Sequence, residues 1–133
     1  MSHHFGEIKR RTSVITNLTM VLLDPRLKDH VVPIVMFENA MQLFESGNFE
    51  HAKNGFTQVI DMGGCGSPGS MAVTFYFRAI CFSNLLRFKE ALQDMKKVKE
   101  LDPAFKVPSD VDHVMLFSTM LQVIVDQDER GEK

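Results

Sequence analysis

Residues 75–103 read FYFRAICFSNLLRFKEALQDMKKVKELDP, and the spacing of their apolar side chains decides the fold. Phe75, Ala79 and Phe82 fall at steps of four and three, the period at which side chains return to one face of an α-helix. After a short break at Leu86-Arg87, the series Phe88, Ala91, Met95 and Val98 resumes the same rhythm. Asp102-Pro103 closes it, because a residue before proline resists the helical region. Two amphipathic helices joined by so short a turn must lie antiparallel against each other. Small side chains at 79 and 91 let the helix axes approach, and the bulky residues between them fill the gaps.

The arrangement recurs upstream in residues 36–62, MFENAMQLFESGNFEHAKNGFTQVIDM. Met36, Ala40, Leu43, Phe49, Ala52, Phe56 and Val59 match Phe75, Ala79, Phe82, Phe88, Ala91, Met95 and Val98 at an offset of 39 residues. Pro33 suits the first position of the earlier helix, where a missing N–H costs nothing. Gly47-Asn48 supplies the turn and a cap for the helix from Phe49 to Met62. Residues 63–69, GGCGSPG, are a loop, with Ser70 as the expected cap of a third helix from Met71 to Leu85. No Lys-Ser/Thr follows these glycines and no strand precedes them, so a phosphate-cradling loop is excluded. Ser109 and Asp112 form a variant capping box for a last helix over about 110–126, with an apolar stripe of Val111, Val114, Met115, Leu121 and Val125. In the N-terminal arm, 1–32, residues 8–23 place Ile8, Ile15, Leu18 and Leu22 on one helical face. The charged residues 127–133 read as a disordered tail. The expected fold class is all-α, in a single helical domain over 33–126.

The large–small–large pattern, closed by Leu101-Asp102-Pro103, resembles the tetratricopeptide repeat (TPR) over about residues 33–103. Asn39 and Arg78 stand where that family prefers leucine, and Leu86-Arg87 replaces its usual Gly-Asn/Asp turn. The 39-residue offset exceeds the family's repeat of about 34, the excess falling in the glycine-rich loop. The resemblance implies a right-handed stack of two helical hairpins, 33–62 and 71–103, flanked by an N-terminal helix and a C-terminal capping helix. It also implies a concave groove lined by the first helix of each pair: Ile34, Phe37, Met41 and Phe44, then Val73, Tyr76 and Ile80. Relatives that grip a chaperone's C-terminal carboxylate use Lys, Asn and Arg, whereas the matching positions here hold Phe37, Met41 and Phe77. Aromatic rings offer a carboxylate no donors, which argues against a chaperone tail and against a cochaperone-type role. An apolar groove suits an apolar or amphipathic helical segment of a protein partner, or the chain's own N-terminal helix. The pattern is similar as well to the mitochondrial fission adaptor, a membrane-recruited protein of two such pairs.

Composition narrows the function. Fifteen basic against seventeen acidic residues give a net charge of −2, unlike the basic surface that nucleic acid requires. Two cysteines, Cys65 and Cys81, and five histidines show no metal-ligand spacing, so neither a metal nor a cofactor is expected. Unpatterned cysteines point to a reducing, intracellular compartment, by default the cytoplasm. The first 23 residues, with Glu7 as their one acid before Asp24, also resemble a mitochondrial presequence in composition. No apolar run reaches the length that spans a bilayer. Glu38, Glu45, Glu50, Asp61, Glu90, Asp94 and Glu100 fall mainly on expected helix surfaces and assemble no catalytic set, so the chain reads as a non-enzyme. Ten of the fifteen residues from Val111 to Val125 are apolar, and Leu116, Phe117, Met120 and Ile124 lie off the main stripe. Such residues would leave an apolar patch in water, so they are the expected contact with another subunit of a multi-subunit complex.

Overall fold

Each interruption of the hydrophobic rhythm is a helix end in the computed structural model, which describes residues 28–107 and 112–131. Five helices follow one another there: α1 Lys28–Glu45, α2 Phe49–Asp61, α3 Pro68–Asn84, α4 Phe88–Leu101 and α5 His113–Glu129. The described chain is all-helical. The helix expected over 8–23 and the cap expected at Ser109 lie outside the described residues.

The helix ends show where local chemistry won over the simplest reading. At the first turn Gly47 takes a φ of 82°, and the Asn48 side chain accepts the His51 N–H at the start of α2. The second turn is capped by Ser67, not Ser70: the Ser67 side chain accepts the Ser70 N–H at 3.1 Å, while the Ser70 hydroxyl accepts the Ser67 N–H at 3.3 Å. Pro68 then occupies the first turn of α3, where it sacrifices no intrahelical bond, and α3 starts three residues earlier than Met71. Pro33 is likewise displaced from its expected place. It lies inside α1, which begins at Lys28, so the half-buried Val31 and Val32 are helical despite the ladder bond that proline removes. Asp112 caps α5 by accepting the Met115 N–H at 3.0 Å. At the other end, residues 127–129 extend α5 beyond the expected boundary, since no breaker intervenes before Gly131, whose φ is 75°.

Each helix packs principally on its neighbours in sequence. Ala40, Ala52, Ala79 and Ala91 are all at most 1% exposed, as small residues at helix contacts should be. Gly55 adds a closer approach: a Cβ there would come within 2.8 Å of the Ala40 Cβ. Two apolar clusters result. Ala40, Ala52 and Phe56 join Cys81 from α3, with Phe37, Met41, Phe44, Phe49 and Phe77 around them. Phe75, Ala79, Phe82, Ala91, Met95 and Val98 join Val114, Leu121 and Val125 of α5. Burying each large side chain contributes roughly 1.5–3 kcal/mol.

Asp94 corrects the expectation of surface carboxylates, being only 3% exposed. Arg78 holds it with two bonds, Nε to Oδ2 at 2.8 Å and Nη2 to Oδ1 at 2.6 Å, and donates a third from Nη1 to Thr57 Oγ1 at 3.2 Å. Its guanidinium also lies 5.2 Å from the Phe75 ring centre and 5.4 Å from that of Phe82. Arg78 is therefore a polar tie across α2, α3 and α4. Burial pushes the Asp94 carboxyl above its ordinary range, against the opposing pull of Arg78.

Candidate partner-binding groove

Aromatic contacts link the odd-numbered helices as well as the successive ones. Phe44 of α1 meets Phe77 of α3 edge-on, with ring centres 5.2 Å apart. Tyr76 of α3 meets Phe117 of α5 at 6.5 Å and 88°. Between α3 and α5 a cleft of about 390 Å³ opens to the surface. Tyr76, Ile80, Ser83 and Asn84 line one side, and His113, Leu116, Phe117 and Met120 the other. On each helix these residues recur at three- and four-residue steps, so the cleft follows the helix axes. Leu116 is 51% exposed and Met120 50% exposed.

The cleft contains no Asp, Glu, Lys or Arg. The Asn84 amide donates to the Ile80 carbonyl at 2.9 Å, leaving the floor mainly hydrocarbon and aromatic. Tyr76 packs on Phe77 and on Phe105 of the segment after α4, at 5.6 and 5.3 Å. Partial burial there raises the pKa of its phenol. Such a surface holds apolar groups by removing them from water and offers no charged handle for a carboxylate or a phosphate.

The expected groove residues sit in different surroundings. Tyr76 and Ile80 lie in the cleft just described. Phe37, Met41 and Phe44 are half-buried around the first core instead, Phe37 against Phe56 at 5.7 Å and Phe44 against Phe49 at 5.7 Å. Phe77 lies between α1 and α3, edge-on to Phe44 and nearly parallel to Phe56 at 6.1 Å. Ile34 is 42% exposed and Val73 half-buried, neither of them lining the α3–α5 cleft. Of the residues expected to contact another subunit, Leu116, Phe117 and Met120 join this cleft. Ile124 lines a different one of about 550 Å³, with Leu86, Phe88, Val125 and the charged Arg87, Lys89, Glu90 and Asp128. Leu86 had no signal beyond its place in a turn, yet it is 76% exposed and takes a φ of 62°.

Among the described residues no cluster of three His, Cys, Asp or Glu side chains could hold a metal ion, and no helix is long and apolar enough to cross a membrane. Cys65 and Cys81 are both unpaired thiols, and burial pushes Cys81 up to about 12. No known family model matches the chain, and neither a curated protein nor a solved structure does.

Proposed function

We propose that this chain is a non-catalytic interaction module of tetratricopeptide type, a scaffold or structural subunit that binds the apolar face of an amphipathic helix from another protein. The observation that carries this reading is the α3–α5 cleft, where half-exposed Leu116 and Met120 stand across from Tyr76 and Ile80 without a charged side chain between them. A partner helix with apolar residues at three- and four-residue steps would match those two rows. The repeat reading is supported by the four buried alanines and by ring contacts between the odd-numbered helices. In this reading α5 is the C-terminal capping helix, and its half-exposed Leu116 and Met120 form one wall of the groove that the partner helix enters. The two unpaired thiols fit a reducing, intracellular compartment.

Selection from a displayed library of helical peptides, using the intact chain as bait, tests this. Enriched peptides should share apolar residues at helical spacing. They should bind Leu116→Asp/Met120→Asp at least about tenfold more weakly, a loss of roughly 1.4 kcal/mol. Binders indifferent to that double substitution, or no enrichment at all, would sink the groove as the binding site.

A further inference from the structure

Helix α5 closes the described row of helices, and its inner face is committed to the core through Val114, Leu121 and Val125. A terminal helix of a stack ordinarily turns a polar face to water. Here residues 114–125 carry no charged side chain. Met115, Leu116, Met120 and Val123 are exposed by 53, 51, 50 and 50%. Leu116, the exposed Thr119 and Val123 recur at steps of three and four, the seam spacing of two helices packed side by side. Met115, Thr119 and Val123 do not line the α3–α5 cleft, so this face extends beyond the groove.

The charges of α5 supply a second observation. A helix favours acids in its first turn and bases in its last, and α5 has neither. Its last turn instead carries Asp126, Asp128 and Glu129, where the helix dipole is already negative. Gln122 Nε2 donates to Asp126 Oδ1 at 2.9 Å, Lys89 lies 4.0 Å from Glu129, and Arg130 follows as the C-cap. At the other end the Asp112 carboxylate is occupied in capping the Met115 N–H, and His113 comes next. A second α5 laid antiparallel answers both features. It covers the apolar seam with an identical one, and it sets each acidic end beside the other copy's first turn and His113, at the positive end of that helix's dipole. Parallel pairing would bring the two acidic ends side by side.

We propose that the outer face of α5 is the interface of a homodimer, in which two copies pair antiparallel about a two-fold axis near mid-helix. Such an interface requires a surface that complements itself. Thr119, small and central between Leu116 and Val123, lets the two helices approach, and no charge within 114–125 is buried by their contact. One helix against one helix is a small interface, so monomer and dimer exchange at micromolar concentrations and above. Leu116 serves both this face and the groove, but the dimer does not depend on the groove: its seam needs Met115, Thr119 and Val123, whereas the groove needs Tyr76 and Ile80.

Sedimentation of the whole chain from about 1 μM to about 1 mM tests the proposal. The mass should rise with concentration from monomer to dimer and stop there. Met115→Asp/Val123→Asp, which leaves the α3–α5 cleft intact, should raise the dissociation constant at least about tenfold by placing carboxylates in the seam, with the helical circular dichroism retained. Orientation is read from nitroxide labels on Gln127→Cys in a Cys65→Ser background, since Cys81 is fully buried. Antiparallel copies hold the two labels roughly 20 Å apart along the helix axis, whereas parallel copies bring them together. A monomer throughout, association that continues past the dimer, a dimer indifferent to the double substitution, or labels in contact would each overturn the proposal. Helical peptides selected on the same chain report on the groove separately, whichever way this result falls.

Discussion

The first hairpin and the C-terminal end of the molecule start from the same side-chain logic and finish differently. Around α1 and α2, the bulky residues beside Ala40 and Ala52 meet aromatic partners, because Phe77 projects from α3 into the space between Phe44 and Phe56. At α5 the inner residues Val114, Leu121 and Val125 are buried just as well, yet the outer Leu116, Met120 and Val123 remain about half exposed. Alanine spacing sets how closely two helices approach. Whether the flanking apolar residues become core or surface depends on what the next element brings, and after α5 the described chain brings nothing further. The contrast separates a region built for stability from one with apolar surface to spare.

The sharpest way to break that contrast is to cut the tie between the two hairpins. Arg78→Ala removes both bonds to a carboxylate buried beneath α3 and also frees Thr57. Stranding a buried charge costs about 3–5 kcal/mol, so urea unfolding should shift by that order, while Arg78→Leu/Asp94→Leu should recover most of it. The pH dependence follows from Asp94, whose pKa in the folded state is already raised by burial. A folded state that holds this proton more tightly than the unfolded chain loses stability as pH rises through the carboxylate range and up to the folded pKa. Removing Arg78 takes away the opposing pull, so the variant's deficit should shrink in acid and widen towards neutral pH. An equal deficit at both ends would show that the ion pair does not govern it.

A second, smaller effect probes the first hairpin alone. Gly55→Ala puts a methyl group where only 2.8 Å separates it from the Ala40 Cβ. The helices must move apart, at a cost of about 1–3 kcal/mol that outweighs alanine's better helix propensity. Thermal melts that show Gly55→Ala to be neutral would mean α1 and α2 pack less tightly than described. Leu86→Asn tests the opposite direction at the second hairpin's tip. The leucine holds a left-handed backbone with its side chain mostly in water, so asparagine should gain about 0.5–1 kcal/mol. A loss on that substitution would reveal that Leu86 is held by contacts with Phe88 and Ile124.

Much of this architecture was legible beforehand, and the failures have identifiable causes. The repeat of Ala40, Ala52, Ala79 and Ala91 located four buried contacts because in each helix the alanine lies on the same face as bulky apolar residues. Helix α4 follows its sequence boundaries, since Leu86-Arg87 and Asp102-Pro103 punctuate it strongly. Ser67 was missed as a cap because Ser70 offers the same hydroxyl three residues later, and the structure uses the two reciprocally. Asp94 looked exposed because a one-dimensional pattern cannot pair it with Arg78 sixteen residues away. The place of Phe77 between Phe44 and Phe56 was not legible for the same reason: periodicity gives the face of a helix but not which ring arrives from the next one.

The smallest stability effect bears most directly on function. Leu116 and Met120 are each about half exposed, so Leu116→Ala and Met120→Ala should change unfolding free energy by no more than about 0.5 kcal/mol each. Phe77→Ala removes a ring that touches Phe44, Phe56 and Tyr76, and should cost several times as much, roughly 3 kcal/mol. The comparison is informative because all three side chains are large and apolar and sit beside the same row of helices. Equal costs would mean that the α5 edge is already part of the core, leaving little apolar surface for a partner. A near-zero cost at Leu116 and Met120, with a full cost at Phe77, would mark those two as residues whose burial the described fold does not require. That separation between folding and binding is what an interaction surface needs, since a side chain already committed to the core has little further area to bury against a second protein.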